Sequence, residues 1–251
     1  METKNLTERL RYYGGEKLKE NQIRISPSSI QLLSDNEEVW YRRNILKESS
    51  LRTSTAMRLG TLTHYLCECY LTGEEEPSEG DIIQWLEDSQ EDDMWRVLEQ
   101  SSQMSKAFKD SYPREWVSKS ESEVWVEYEP TDGVIFSGTA DIIVGDTVID
   151  IKTSTKKKSS IGDYRYQLLL LAWILNKNGR DITKMGIINL VPATKTLPAR
   201  YTYIEEEINQ DEMKSFIQWL KLKYKKVLLA KEYGDDWEVV MSKNLLSFRV
   251  G

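Results

Sequence analysis

The sequence predicts an α/β fold, with a β-sheet flanked by helices and a helical elaboration ahead of it. Three observations carry this. Glu123-Val124-Trp125-Val126-Glu127-Tyr128 alternates with period two, the pattern of a strand with one face buried. Two more strand-like runs follow, Val134 to Val144 and Thr147 to Thr153, divided by Gly145-Asp146. The segments on either side have helical spacing instead, as in Met213, Phe216, Ile217, Leu220, Tyr224, Val227 and Leu228.

In chain order, residues 1–24 are polar, broken by Gly14-Gly15, and read as a loosely packed arm. Residues 25–251 read as a single domain. Ser26-Pro27 starts a helix, with Ser26 as N-cap and Pro27 at the first helical position, running past Ile30 and Leu33 towards Trp40 and Tyr41. A second helix covers Ala56 to Leu71 and ends before Thr72-Gly73. Residues 68–110 form an acidic helical insertion, with a loop over Glu74 to Gly80 and helix from Asp81 to about Phe108. After the three strands, Asp163 caps a helix to Asn176 that is apolar on nearly every side and therefore buried. Met185 to Val191 and Arg200 to Ile204 are strands, and the long helix from Met213 closes the chain.

Composition narrows the class. With 251 residues, 39% hydrophobic and 30% charged, the chain can bury a core as one elaborated domain. Its longest apolar run, Leu168 to Leu175, is too short for a bilayer, which takes ~20 residues, so no membrane role is expected. Cys67 and Cys69 are too few for a disulfide scaffold or a cysteine-ligated Fe–S cluster, and they point to a reducing, cytoplasmic setting. No signal peptide and no Walker-type phosphate loop is read, so no nucleotide cofactor is expected. The net charge of −7 is unevenly spread: residues 68 to 99 hold 12 acidic residues against Arg96 alone, which leaves the rest of the chain at +4. An acidic segment on a mildly basic body leaves a polyanionic partner open.

The chemistry concentrates in Gly138-Thr139-Ala140-Asp141 and, beyond the Gly145-Asp146 turn, Asp150-Ile151-Lys152-Thr153. If that turn is a two-residue hairpin, Val144 pairs with Thr147 and Asp141 lies opposite Asp150, with Lys152 on the same face as Asp150. Two opposed carboxylates repel unless a cation sits between them, and a divalent metal with a nearby lysine meets that need. A solvated hairpin with scattered charges is the plainer alternative, disfavoured by the apolar helices around it.

Asp141 followed by Asp150-Ile151-Lys152 resembles the signature of the PD-(D/E)XK nuclease superfamily, in particular its RecB-like branch of phage and mitochondrial genome maintenance exonucleases. Three other segments match in order: Ser26-Pro27-Ser28-Ser29-Ile30 through Trp40-Tyr41, Gly60-Thr61-Leu62-Thr63-His64, and Tyr166-Gln167-Leu168. Leu171 stands where branch members often have a tyrosine. The resemblance implies a restriction-endonuclease-like core with a central mixed β-sheet. It implies metal positions at His64, Asp141, Asp150 and Ile151, and catalytic positions at Asp141, Asp150, Lys152 and Gln167. Lys152 would activate the attacking water and offset transition-state charge, and Gln167 would position it or the water. Mg²⁺ is the expected cofactor, with Mn²⁺ a plausible substitute because of the imidazole.

Glu68, one turn after His64, and Glu123, in the strand before the hairpin, either support the site or lie on exposed faces. Lys156, Lys157 and Lys158, with Arg42 and Arg43, are candidate DNA-phosphate contacts, and Arg52 and Arg58 could extend an entry channel. The implied activity is a metal-dependent DNA exonuclease acting on single- or double-stranded ends, in a phage or mobile-element context with a recombination or replication protein as partner. The alternatives are a structure-specific endonuclease of the same fold and an inactive nucleic-acid-binding module.

Overall fold

The computed structural model describes residue 6, residues 22–48 and residues 54–242. Its centre is a mixed six-stranded sheet of β1 (Ile23–Ile25), β2 (Ser120–Thr131), β3 (Val134–Val144), β4 (Thr147–Thr153), β5 (Lys184–Val191) and β6 (Arg200–Glu207). The helices are α1 (Pro27–Asp35), α2 (Glu37–Asn44), α3 (Thr55–Thr72), α4 (Glu79–Asp88), α5 (Met94–Ser111), α6 (Arg114–Val117), α7 (Arg165–Lys177), α8 (Gln210–Glu232) and α9 (Trp237–Met241).

β3 organises the sheet. Along one edge it pairs antiparallel with β2, from Ser120↔Val144 to Thr131↔Val134. Its other edge is shared. β1 runs parallel to Val134–Phe136, and β4 runs antiparallel to Ile142–Val144. Between those two ladders β3 leaves Ser137 to Asp141 without a strand partner on that side. β4 continues the sheet in parallel with β5, and β6 closes the order antiparallel to β5.

Both faces of the sheet are covered, so its central strands are apolar on both sides. On one face α1, α7 and α8 pack over Phe136, Val148 and Ile187, and the Leu168–Leu175 run is buried there throughout. On the other, α3 and α5 place Cys67, Met104 and Phe108 against Ile142, Ile149, Ile151 and Ile188. Cys67 and Cys69 are buried free thiols. No helix among the described residues is long and apolar enough to cross a membrane.

The sequence reading needs several corrections. The segment read as a polar arm mostly lies outside the described residues, but its end is β1, whose Ile23 and Ile25 are buried; three residues are too short to display a period. The helix read from Pro27 to Tyr41 is two, broken at Asn36, which is extended (φ −153°) and accepts from Val39 N–H at 3.1 Å to cap α2. The long acidic helix is likewise two, α4 and α5. Glu91 draws the intervening turn down by accepting from Arg58 at 2.6 Å and from the Thr55 hydroxyl at 2.7 Å. The helix expected from Asp163 begins at Arg165, after a short 3₁₀ turn over Gly162–Tyr164.

Gly138 is where α1 meets β3. A Cβ there would lie 2.6 Å from Pro27 Cδ and 2.9 Å from Pro27 Cγ, which no rotamer change of a proline ring can relieve. Gly138→Ala is therefore expected to destabilise the fold by about 1–3 kcal/mol through overpacking, read as a lower denaturation midpoint at unchanged m-value.

Candidate active site

The Gly145-Asp146 turn has Gly145 at φ +58°, and Val144 pairs with Thr147 as the spacing requires. The β3–β4 ladder then stops at Ile142↔Ile149. One residue further, Asp141 replaces a main-chain partner with its side chain: Asp141 Oδ2 accepts from Ile151 N–H at 2.7 Å. The strands splay beyond this point, and a cavity of about 440 Å³ opens at the unpaired middle of β3, lined by His64, Ser137, Asp141, Asp150, Lys152 and Gln167.

Asp150 and Lys152 project from β4 towards Gln167 on α7, and the three form a closed triangle. Gln167 Nε2 donates to Asp150 Oδ1 at 2.6 Å, Lys152 Nζ donates to Gln167 Oε1 at 3.1 Å, and Lys152 Nζ lies 2.7 Å from Asp150 Oδ2. Only this orientation of the amide satisfies both neighbours, because a flipped Gln167 would set its NH₂ against the ammonium. Asp150 is 2% exposed, and its Oδ2 contacts the ammonium outside hydrogen-bonding geometry, so it retains accepting capacity. Burial opposes the charge on Lys152, but Asp150 and Asp141 outweigh it and hold the ammonium above its ordinary pKa. Lys152 Nζ also sits 4.9 Å above the Tyr164 ring.

From the other side α3 brings His64, with Nδ1 3.4 Å from Asp141 Oδ2. Glu123 completes the group: His64, Glu123 and Asp141 each offer a ligand atom, all within 4.8 Å of one another. Glu123 reaches it through backbone strain. Ser122 and Val124 pair regularly with Ile142 and Ala140, but between them Glu123 has φ +52°, a left-handed conformation that costs a non-glycine residue about 1–3 kcal/mol. Glu68, one turn after His64, adds its charge to the field on Glu123.

The electrostatics fit a cation. Burial pushes Asp150 up to about 6, with the Asp141 charge adding to it, and burial pushes Asp141 up to about 6. Glu123 rises to about 9 through burial and the charges of Asp141, Glu68 and Asp150. Burial lowers His64 to about 4, leaving a neutral imidazole with a free lone pair. Acids raised by burial, Asp150 and Glu123 also by neighbouring carboxylates, beside a neutral imidazole are the donor set a divalent ion takes, and its charge would offset the cost of their ionisation.

A profile of the PD-(D/E)XK nuclease superfamily matches residues 24–237. The chain belongs to this superfamily. PD-(D/E)XK nucleases use divalent metal ions, which accords with the donor set. Among solved structures, one described provisionally as an exonuclease from Eubacterium rectale is similar at 14% identity and a TM-score of 0.60, over 85% of this chain and 86% of that one. The alkaline exonuclease LHK-Exo from Laribacter hongkongensis aligns at 12% identity and a TM-score of 0.41, over 87% of this chain and 95% of that one. No curated protein matches the chain. Family membership and the first of these structures establish the restriction-endonuclease-like fold.

Other expected site residues lie further out. Ile151 gives its N–H to Asp141 and buries its side chain in the core. Lys156 and Lys157 are exposed and Lys158 half-buried, on the loop directly after β4, with Lys158 Nζ 5.4 Å over the Tyr164 ring that Lys152 also faces. Arg42 does not line the cavity: it pairs with Glu38, Glu48 and Glu238 and stacks 4.8 Å over Trp237, tying α2 to α9. Arg43 is exposed on the same helix, Arg58 is committed to Glu91, and Arg52 lies outside the described residues.

Sequence reading missed Asn189. This fully buried amide on β5 accepts from Lys158 N–H at 2.8 Å and donates to Ser154 Oγ at 2.8 Å and to the Lys152 carbonyl at 3.3 Å. It fastens the lysine loop to the end of β4. Its signal was one amide inside the apolar run Met185 to Val191.

Proposed function

We propose that this nuclease is a metal-dependent DNA exonuclease, hydrolysing phosphodiester bonds with water as nucleophile. The carrying observation is the cavity in which the Asp150–Lys152–Gln167 triangle meets His64 and Asp141, with Glu123 within 4.8 Å of that pair. His64, Asp141, Asp150 and Glu123 would hold the ion, with Mg²⁺ or Mn²⁺ suited to carboxylate-rich sites and an imidazole tolerable to Mn²⁺. When bound, it supplies Lewis-acid polarisation of the phosphoryl oxygen and a lowered pKa for the attacking water.

The chain's own residues supply the rest. Lys152 is an ammonium at neutral pH, so its role is to orient the water and neutralise charge developing on the phosphoryl oxygens rather than to act as a free base. Gln167 fixes the Lys152 side chain and holds Asp150 Oδ1, which leaves the other Asp150 oxygen beside the Lys152 ammonium.

Support for a strand end as substrate comes from the cavity wall beside β1. Arg24 and Ser28 line it near the start of α1, whose N-terminal amides favour an anion, and the buried Ser137 hydroxyl has no hydrogen-bond partner among the described residues. A phosphate at that wall would give the Ser137 hydroxyl an acceptor and face the Arg24 cation. The loop of Lys156, Lys157 and Lys158 would then carry the neighbouring backbone without reading sequence.

The test uses end-labelled linear DNA and covalently closed circular DNA, single- and double-stranded, with Mg²⁺ or Mn²⁺. Progressive loss of linear substrate with intact circles is expected. Cleavage of closed circles would replace the exonuclease reading with the endonuclease one, and binding without cleavage of any form would identify an inactive module.

A further inference from the structure

Apart from Glu68, the acidic insertion takes no part in the site above, yet it encloses a cavity of its own. Where α3, α4 and α5 meet, about 390 Å³ is open, in the range of ~300–1,000 Å³ typical of ligand pockets. Its apolar lining comes from Leu66, Ile82 and Leu98, and its charged lining is Glu76, Glu79, Glu99 and Lys109, the last paired with Glu76. Trp95, also on the lining, is 65% exposed, unusual for so large an apolar ring.

A second observation is independent of this charge. Ser105 lines the same cavity, is only 1% exposed, and its hydroxyl has no hydrogen-bond partner among the described residues. Helical serines normally return their proton to a carbonyl one turn back, as Ser101 does to Leu98 O at 3.0 Å on this same helix. Ser105 does not, and a buried polar group left unsatisfied costs about 1–3 kcal/mol. It is placed to meet a polar group that enters the cavity.

The occupant is fixed by three requirements. It must be cationic, because Glu79 and Glu99 line the space and Lys109 is taken up by Glu76; it must carry an apolar stem for the leucine, isoleucine and indole surfaces; and it must reach the Ser105 hydroxyl at the base, whose oxygen can accept an N–H. A lysine or arginine side chain meets all three, with Trp95 able to take its cation on the ring face. DNA is excluded by the same field. The charge also extends well past the cavity, since residues 68–99 carry 12 acidic residues against one arginine, which suits several cations held on one chain rather than one small amine. We propose that this cavity docks a lysine- or arginine-rich segment of a partner protein, one side chain of which enters it.

Fluorescence anisotropy with a labelled octalysine peptide tests the proposal on the full chain. Wild-type protein is expected to bind it, and the double reversal Glu79→Lys with Glu99→Lys to weaken binding at least about tenfold. The same charge change at Glu74 and Glu75, which do not line the cavity, is expected to cost less than about threefold. Ser105→Leu, which fills the base, should weaken binding as the reversal does. Trp95→Ala, at an exposed position that does not endanger folding, should cost about fivefold. Equal losses from the two double reversals, or full binding by Trp95→Ala and a folded Ser105→Leu, would overturn the proposal. So would displacement of octalysine by spermidine at equal charge concentration, which would mark a site for free polyamines. DNA cleavage should be unchanged in every variant, so failure here leaves the nuclease reading untouched.

Discussion

Asp150→Asn and Lys152→Ala are each expected to lower the cleavage rate by at least about 10³-fold while the protein remains folded. The two side chains share one triangle with Gln167, so neither can be altered without stranding the others. In Asp150→Asn, one oxygen must serve both the Gln167 amide and the Lys152 ammonium, and the new NH₂ faces one of these donors. In Lys152→Ala, the charge facing the phosphoryl oxygens is lost, and Asp150 loses its counter-charge. A group acting on the transition state lowers kcat and kcat/KM together, and DNA affinity measured with Ca²⁺ in place of Mg²⁺ should stay within about threefold. Gln167→Leu acts only through its two neighbours and should cost less, about 10–100-fold. Circular dichroism verifies the fold. Turnover within tenfold of wild type in Asp150→Asn or Lys152→Ala would remove the triangle from the mechanism.

The parts of this site that were legible in the sequence obey local rules. Gly145-Asp146 fixes a two-residue turn, the turn fixes Val144 opposite Thr147, and side-chain alternation then puts Asp150 and Lys152 on one face. The same rules fail one step later. Counting opposed residues predicts Asp141 across from Asp150, but the ladder ends at Ile142↔Ile149 because Asp141 captures the Ile151 N–H with its carboxylate. No period signals a ladder that stops for a side chain.

Glu123 illustrates a second limit. Its position in an alternating strand leaves inward and outward readings equally open, and the left-handed backbone that decides between them is a strain imposed by the fold. The arginines illustrate a third. Arg42 and Arg58 look like free cations in sequence, but Arg42 adds the distant Glu238 to its local partners Glu38 and Glu48, and Arg58 pairs with Glu91, far from it in the chain. Long-range pairing also accounts for the break between α4 and α5, since the turn is held by Glu91 against α3.

Adding Mg²⁺ or Mn²⁺ to EDTA-treated protein is expected to raise its melting temperature, and Asp141→Asn to raise the metal-free value while abolishing that response. The site is costly when metal-free. Asp141, Asp150 and Glu123 have folded pKa values above their unfolded ones, so the folded state holds their protons more tightly and neutral pH, where the unfolded chain has released them, is a loss to folding. An ion that binds only the folded form stabilises it by about 2.7 kcal/mol at a hundredfold excess over its Kd, or ~5–10 °C for a domain of this size. Asparagine at 141 removes one of the crowded charges but keeps an oxygen that can accept from Ile151 N–H, so the splayed junction of β3 and β4 survives. The metal-free variant should therefore melt a few degrees above wild type, and Mn²⁺ should no longer shift it. Glu123→Gln should raise the metal-free value as well, because it removes a carboxyl that must take up a proton to fold at neutral pH, and retain a reduced response through His64, Asp141 and Asp150. An Mn²⁺ response in Asp141→Asn equal to that of wild type would place the ion elsewhere, and a metal-free melting temperature below wild type would show that the Asp141 charge contributes to folding through its main-chain contact rather than costing it.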